Sequence, residues 1–552
     1  MPRDEKEIRD LGTYLVTDYF SVSKKEMQTD ENYYKDNFKP ALLTQPGDAL
    51  IQYTGEAARQ IDLPAEHLIT GNPQAFRLPR TKGEQEGAVR VGKGLNHILK
   101  RIKRMNPNPI QISLKTNLKR GEVYTQLIRN SEWTSENQVG LPIYVHLPDP
   151  LTVFPYGASP EYDCVPDEVI ISCKRGVQNI QRMYPDWKYK GTEKSVQWLG
   201  YYSKDQIYFE AGNEPVTKGI EPNIMKFTPF VHVYTGYGSD SPDAAPQDLA
   251  VGRLRNLRSI LDSELILFSD AMRLVHAFVY PFFWFRRESE NVPDDAIDNV
   301  SAKPFSYTLF QAGVVPVPVQ DLLQNLNYIL QQLAVVRSRL DRELSPLLEG
   351  IGGATSGRDR DMATSDALRR FETVMDNLQT LWGVTLSQML RAIDTIPDML
   401  PMSVYAEDII GGKRLLKEAS MSKEDIAGYY NCWVELKASE ALDADRRKLM
   451  YRNDWQSGFM SKKTALIKGE GYTADEADQE MEDRDVEDAM IPLKPIIGLQ
   501  YAQERGIPVE LLSQLAGNQT KGRPQEIQTQ RGGEMIDSGF QRGGRMPAGA
   551  MQ

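Results

Sequence analysis

The sequence predicts an α+β fold that is mainly helical, and three observations carry that expectation. Two long amphipathic stretches stand close together. The first places Leu254, Leu257, Leu261, Leu265, Phe268, Met272 and Val275 on one stripe, and the second does the same with Leu322, Leu326, Ile329, Leu333, Val336, Leu340 and Leu344. Spacings of three and four put each set on one face of a helix, with Arg, Asp, Gln and Asn on the remainder. Residues 1 to about 240 mix short helical stretches with strands, whereas the chain from Tyr405 to Leu515 reads as helical again.

Taken in order, helical stretches are expected near Ala57–Ile61 and Gly94–Met105. Strands follow at Ile110–Leu114, Gln138–Val145, Val169–Cys173, Ser195–Tyr202 and Gln206–Glu210, broken by Pro, Gly and Asn. Leu151–Pro155 reads as an edge strand between turns. Pro242 and Pro246 end a polar loop and open the first long helix. About forty residues with a dense aromatic run, Phe278 to Phe285, separate it from the second. Glu349 to Arg360 is a glycine-rich loop. Thr364 or Ser365 is the expected N-cap of a third helix carrying Leu368, Phe371, Met375, Leu378, Leu381 and Trp382, which Pro397 and Pro401 close. Farther on, Ser461 precedes a short helix, Thr473 and Glu476 have capping-box spacing, and Ala474–Ala489 is densely acidic. Beyond Gly517 the composition turns to Gly, Gln, Arg and Pro, which cannot bury a core, so the tail is expected to be disordered. No internal repeat is visible.

Bulk numbers bound the function. The chain has 552 residues, 40% apolar and 26% charged, enough for several buried cores. Its formal charge is −11, from 76 acidic and 65 basic residues. Proteins that grip DNA tightly neutralise phosphates with a basic excess, so duplex contact here is expected to be weak or non-adhesive. Cys164, Cys173 and Cys432 are too scattered for a disulfide framework or a zinc site, and reduced thiols are expected. Met1–Asp10 does not read as a signal peptide. The apolar run Val275–Phe285 is about half the length of a membrane span, so no membrane association is expected.

Catalytic motifs fail one after another. Gly87 to Gly94 has the spacing of a phosphate-binding P-loop around Lys93. It lacks the hydroxyl for Mg²⁺ after the lysine, the apolar strand before it and the acid-tipped strand after it; a turn leading into a helix is the plainer reading. Lys100, Arg101, Lys103 and Arg104 form a basic cluster on that helix, a candidate contact to DNA or to a neighbouring subunit, although most such clusters are solvated faces. The histidines His67, His97, His146, His232 and His276 show no metal-ligand pairing. The acids of Asp475–Asp488 lack a calcium loop's glycine and alternating oxygens. Pro166-Asp167 lacks the partners of a metal-dependent nuclease, and no GxSxG elbow or Cys–His pair stands out. The Arg-Gly-Gly steps at Arg531 and Arg542 read as flexible tail. Neither an enzyme nor a cofactor is expected. On periodicity alone the long helices read first as the core of an ordinary helical domain.

Segment order points elsewhere. "LPDPLTVFPYG" at 147–157, the Pro-Phe strand with glycine-rich turn and first long helix across 227–274, the aromatic connection across 278–326, "IGGATSGRDRDMATSDALRRFE" at 351–372, and "GFMSKKTALIKGEGYTADEADQEMEDRD" at 458–485 occur in one order. Together they resemble the portal, or head–tail connector, proteins of tailed bacteriophages over about residues 140–490. The Ala363-Thr364-Ser365-Asp366 run is similar to the Thr-Ala-Thr-Glu run of podovirus connectors, with Asp366 in place of the glutamate. The first hundred residues match nothing in that family.

The resemblance implies a portal-type subunit with wing, paired stem helices, small α/β clip and helical crown, assembling into a ring. Its parts fall at 1–246 (wing), 247–280 (first stem helix), 281–317 (clip), 318–345 (second stem helix), 346–364 (tunnel loop), 365–400 (a long helix linking wing and crown), 401–515 (helical crown) and 516–552 (tail). Gly350, Gly352, Gly353, Gly357, Arg358 and Arg360 are then tunnel-loop candidates. Phe283, Trp284, Phe285, Phe305 and Tyr307 are clip-interface candidates. The ring, usually of twelve subunits, is implied to sit at one capsid vertex of a virion assembled in host cytoplasm. It would pass double-stranded DNA non-specifically during packaging and ejection. Implied partners are further copies of itself, the terminase large subunit, a head–tail adaptor, and the major capsid or scaffolding protein. A twelve-subunit ring would carry a charge of about −130, which suits a conduit of low adhesion. Two rival readings are another oligomeric virion component, such as a collar or baseplate protein, and a nucleotide-hydrolysing packaging enzyme using Lys93.

Overall fold

The computed structural model describes residues 2–40, 51–69, 72–157, 164–241, 243–279, 283–287, 314–318, 322–344, 369–410, 413–436, 451–467 and 474–490. The chain divides into two units, Met1–Ser439 and Glu440–Gln552. Helices hold more of the described residues than strands do, as expected of a mainly helical α+β chain.

The first unit opens with α1 (Glu5–Tyr14), which continues as a π-helical turn, Leu15–Tyr19, into α2 (Ser21–Tyr34). Neither helix was among the expected elements. The signal was local: Asp4 accepts from the Glu7 N–H at 2.8 Å while Glu7 accepts from the Asp4 N–H at 3.0 Å, a reciprocal cap. Ile8, Leu11 and Leu15 follow at helical spacing and are buried.

Those residues cover one face of an antiparallel sheet. It contains β4 (Val153–Tyr156), β5 (Glu168–Gly176), β6 (Ser195–Ser203), β7 (Gln206–Ala211) and β8 (Glu214–Pro215) in that order, with β9 (Glu221–Pro222) also on β7. Successive side chains separate to opposite faces. Ile170, Tyr201 and Tyr208 meet Ile8, Leu11 and Leu15, whereas Val169, Ile171 and Trp198 pack with Trp187 and with Ile180 of α6 (Val177–Met183) on the other face.

The main core lies around α3 (Glu56–Leu68), α4 (Gln85–Lys103), α5 (Pro109–Arg120) and a three-stranded sheet in which β2 (Glu122–Arg129) lies between β3 (Ile143–His146) and β10 (Phe230–Tyr234). The expected strand at Ile110–Leu114 is instead the first part of α5. Asn108 caps it, accepting from the Ile110 N–H at 3.1 Å, and Pro109 occupies the first turn. Ile110, Leu114 and Leu118, four residues apart, are buried on one face. Of the expected strand Gln138–Val145, only the end from Ile143 pairs.

The turn expected at Gly87–Gly94 is also corrected, because the segment lies inside α4. Ala88, Val91, Leu95, Ile98 and Ile102 are buried at helical spacing straight through the glycines. Gly94 has a packing reason: a Cβ there would meet Met421 Sδ at 2.5 Å.

The expectation of helix from Tyr405 onward fails in its first part. Met402–Ile410 (β13) and Lys413–Met421 (β14) form a nine-rung antiparallel ladder. Met402, Val404, Ala406, Ala419 and Met421 are buried, a period of two that marks strands and not helix. Cys432–Glu435 (β15) then pairs with Gln74–Arg77 (β1). The crown expected over 401–515 therefore begins with strands. Arg77, 4% exposed, anchors this corner by donating to the carbonyls of Asp425, Ile426 and Tyr429.

In the second unit, Ser461 caps a short helix, Lys462–Ala465, by accepting from the Thr464 N–H at 3.2 Å. The acidic stretch is helical over Ala474–Met490, and Lys463 pairs with Asp478 at 2.7 Å. Thr473, the proposed partner of Glu476, lies outside the described residues, as does the tail beyond Gly517.

Candidate functional site

The two long stripes form α8 (Arg253–Val279) and α9 (Leu322–Glu343). The first begins later than expected, since Pro246 opens only the four-residue helix α7 (Pro246–Leu249). The break at Ala250–Gly252 comes from crowding by the end of α5. A Cβ on Gly252 would lie 2.5 Å from the Lys119 carbonyl oxygen, and one on Gly121 2.5 Å from Ala250 C. Gly121 also has φ +84, the left-handed cap that ends α5.

The helices run antiparallel, because Arg253 at the start of α8 donates to the carbonyl of Glu343 at the end of α9 at 2.8 Å. Leu254, Leu257, Leu261, Leu265, Leu333, Leu340 and Leu344 are buried along the seam. Glu264, with its side chain 2% exposed, accepts from Arg337 at 3.0 Å and from Thr54 at 2.9 Å. The Arg337 guanidinium also lies 5.4 Å from the Phe268 ring centre. From α3, Gln60 donates to the Leu340 carbonyl and accepts from Arg253, while Arg59 pairs with Asp341 at 3.0 Å.

A second polar lock ties α2 to α8. Arg258 donates to Asp30 at 2.9 Å and to Glu26 at 2.6 Å, and Tyr33 donates to Asp262 at 2.8 Å. Burial pushes the Asp30 carboxyl up to about 6, outweighing the opposing pull of Arg258 and Arg255. Its neighbour Glu31 behaves oppositely. Burial there is overcome by hydrogen bonds from Lys119 and Lys35 and by the Arg120 charge, which bring it down to about 2.

The far ends of the helices lead into a strand pair. Phe283–Arg287 (β11) and Val314–Pro318 (β12) are antiparallel, with Trp284 opposite Val317 and Phe285 opposite Pro316. Proline lacks an N–H, so β12 can hydrogen-bond only where its prolines leave the ladder intact. Of the clip-interface candidates, Phe283, Trp284 and Phe285 share β11, whereas Phe305 and Tyr307 lie outside the described residues. Outside them too lie the tunnel-loop candidates Gly350, Gly352, Gly353, Gly357, Arg358 and Arg360, and the N-cap candidates Thr364 and Ser365. The third helix, α10 (Glu372–Thr395), begins after Phe371 without a side-chain cap.

The basic candidates Lys100, Arg101, Lys103 and Arg104 gather at the C-terminal end of α4, where positive charge suits the helix dipole. Arg101 donates to the Gly140 carbonyl at 3.2 Å and Lys103 to Asn72 at 3.1 Å. Burial lowers the Lys103 pKa. Lys93 lies within the same helix, whose backbone N–H groups are directed along the helix axis; a phosphate cradle needs them turned outward in a loop.

Among the histidines, His97 is buried and donates to the Val404 carbonyl at 2.9 Å, and His232 stacks on Tyr124. His276 is exposed near the end of α8. Among the described residues no His, Cys, Asp and Glu cluster could hold a metal ion. Nor is any helix among them long and apolar enough to cross a membrane.

No family model and no curated protein matches the chain. Among solved structures it is similar to a chain described as "neck of empty GTA particle computed with C6 symmetry". The identity is 10% and the TM-score 0.41, over 80% of this chain and 92% of that one.

Proposed function

We propose that the chain is a portal-type head–tail connector subunit that assembles side by side with copies of itself into a closed ring, a non-adhesive conduit for double-stranded DNA at one capsid vertex. The observation that carries this reading is the outer face of α9. From Leu322 to Val336 the helix has no formal charge, and Tyr328, Leu330 and Val335 are 63%, 46% and 50% exposed. A surface helix normally turns charged residues outward. An uncharged outer face on a paired strut instead suits burial against another copy, with each fully buried apolar side chain contributing about 1.5–3 kcal/mol. The charge of −11 per chain supports a channel that DNA can slide through.

On this reading the β11–β12 end of the strut and its neighbouring residues form the clip, the docking surface for the terminase large subunit and the head–tail adaptor. The major capsid or scaffolding protein contacts the ring from outside. Subunit number is twelve. The chain acts as a scaffold and conduit, not as a nucleotide hydrolase, since Lys93 belongs to a packed helix.

Light scattering and negative-stain imaging of the full-length chain test the reading. A ring with twelve-fold symmetry and a central hole is expected, and the Tyr328→Lys, Val335→Lys variant should remain monomeric with the wild-type helical content. A monomeric wild type, an assembly without an axial hole, or a variant that still forms normal rings would sink it.

A further inference from the structure

The β13–β14 ladder poses a question that the ring reading leaves open. Its nine rungs run from Met402 opposite Met421 to Ile410 opposite Lys413, roughly 30 Å of strand. Among the described residues the sheet has only these two strands. At the base, α4 and side chains cover it. Met421 packs at Gly94, the Ser403 N–H donates to Gln138 at 2.9 Å, and His97 donates to the Val404 carbonyl.

The outer rungs differ in sequence. Glu407 and Asp408 lie on β13, whereas Lys413, Arg414 and Lys417 lie on β14. Glu418, nearer the base, is the one acid on β14, opposite Tyr405. A long two-stranded sheet presents two edges that seek a third strand, and the two strands differ in the sign of their formal charge over these rungs.

From this register we infer that the outer half of the hairpin is a subunit joint: β13 of one copy adds edge-on to β14 of the next. This inference rests on the ring reading and names the contact that closes the ring. Rotation about a ring axis keeps every hairpin pointing the same way. The strand that β14 meets on its neighbour is therefore β13 running in the opposite direction, and the antiparallel ladder continues from copy to copy. Acidic edge meets basic edge at each joint, a head-to-tail contact that closes when the rotation closes. Once it closes, neither strand of this hairpin keeps a free edge over the outer rungs.

The opposing explanation is that these charges pair only within their own hairpin, and charge exchange between chains separates the two. One full-length variant carries Glu407→Lys and Asp408→Lys, so both its edges are basic. The other carries Lys413→Glu and Arg414→Glu, so both its edges are acidic. Each alone is expected to run as a monomer, and an equal mixture to form rings in which the two alternate. Pairing only within the hairpin predicts no rescue on mixing, because repulsion inside each variant persists, and that outcome overturns the joint. The milder Glu407→Gln, Asp408→Asn chain keeps the hairpin free of repulsion and should raise the ring's dissociation constant about tenfold. Rings formed by either charge-reversed variant alone, or an unchanged dissociation constant for the neutral variant, overturn the joint while leaving the ring reading intact. A wild-type chain that stays monomeric overturns both.

Discussion

Glu264 on α8 is almost wholly buried, yet its partner Arg337 on α9, at 3.0 Å, is nearly half exposed. The pair joins the two long helices, and its asymmetry sets what each truncation does. Arg337→Ala strands a buried carboxylate with Thr54 as its remaining donor, which costs about 3–5 kcal/mol. Glu264→Gln leaves an arginine that water can reach and should cost less, about 1–2 kcal/mol. Urea unfolding of both variants measures the difference, and equal losses would falsify the geometry.

The adjacent acids Asp30 and Glu31 should respond to pH in opposite senses. Asp30 is raised to about 6, so the folded chain binds its proton more tightly than the unfolded chain. Its contribution to stability is fully present below about 4 and lost as pH rises through 6. Glu31 is lowered to about 2, so its contribution is present above about 4.5 and lost as pH falls towards 2. Asp30→Asn should flatten the stability profile between pH 4 and 6 relative to wild type, and Glu31→Gln should flatten it below 4.5. Chemical unfolding across that range checks both, and parallel profiles for wild type and Asp30→Asn would refute the first.

Two glycine substitutions should differ although both create a 2.5 Å approach. At Gly121 a new Cβ meets the backbone of Ala250 and Val251, and φ is +84. Neither can relax cheaply, so Gly121→Ala should cost about 2–4 kcal/mol. At Gly94 the obstacle is the flexible end of Met421, and alanine favours the helix by about 1 kcal/mol. Gly94→Ala should therefore lie within about 1 kcal/mol of wild type. Thermal melts of the two variants would rank them, and the opposite order would contradict the packing.

The three thiols should separate in a labelling time course. Burial pushes Cys432 up to about 12, although the Ser387 hydroxyl and Arg77 pull the other way. Cys164 and Cys173 are only half-buried. A maleimide at neutral pH should modify those two in the native chain and reach Cys432 only on unfolding, with mass spectrometry reading each site. Early labelling of Cys432 would show that the β1–β15 corner opens readily.

How much was legible beforehand depended on how local each cause is. The stripes of α8 and α9 were readable because a 3.6-residue period lies wholly within one stretch of chain. The strands β5, β6 and β7 were readable from alternation and bounding turns. Helix α5 was missed although Asn108-Pro109 signals its start, because Ile110, Ile112 and Leu114 also alternate as a strand would. Glycines at 87, 92 and 94 suggested a turn because their reason for being small lies elsewhere, in the approach of residues such as Met421. Periodicity could not foresee the lock of Arg258 on Asp30, which joins residues more than two hundred positions apart.

By itself, then, the sequence determined the composition class, the two long helices, the alternating strands of the β5–β7 sheet and the net charge of −11. Each follows from short-range periodicity or from a count. Tertiary structure alone decided that 402–410 and 413–421 form a ladder on α4, that Lys93 sits inside a packed helix, and that α9 turns an uncharged face outward. Those outcomes depend on which distant surfaces meet, and burial free energy summed over many contacts overrides the weak local preferences of any one segment.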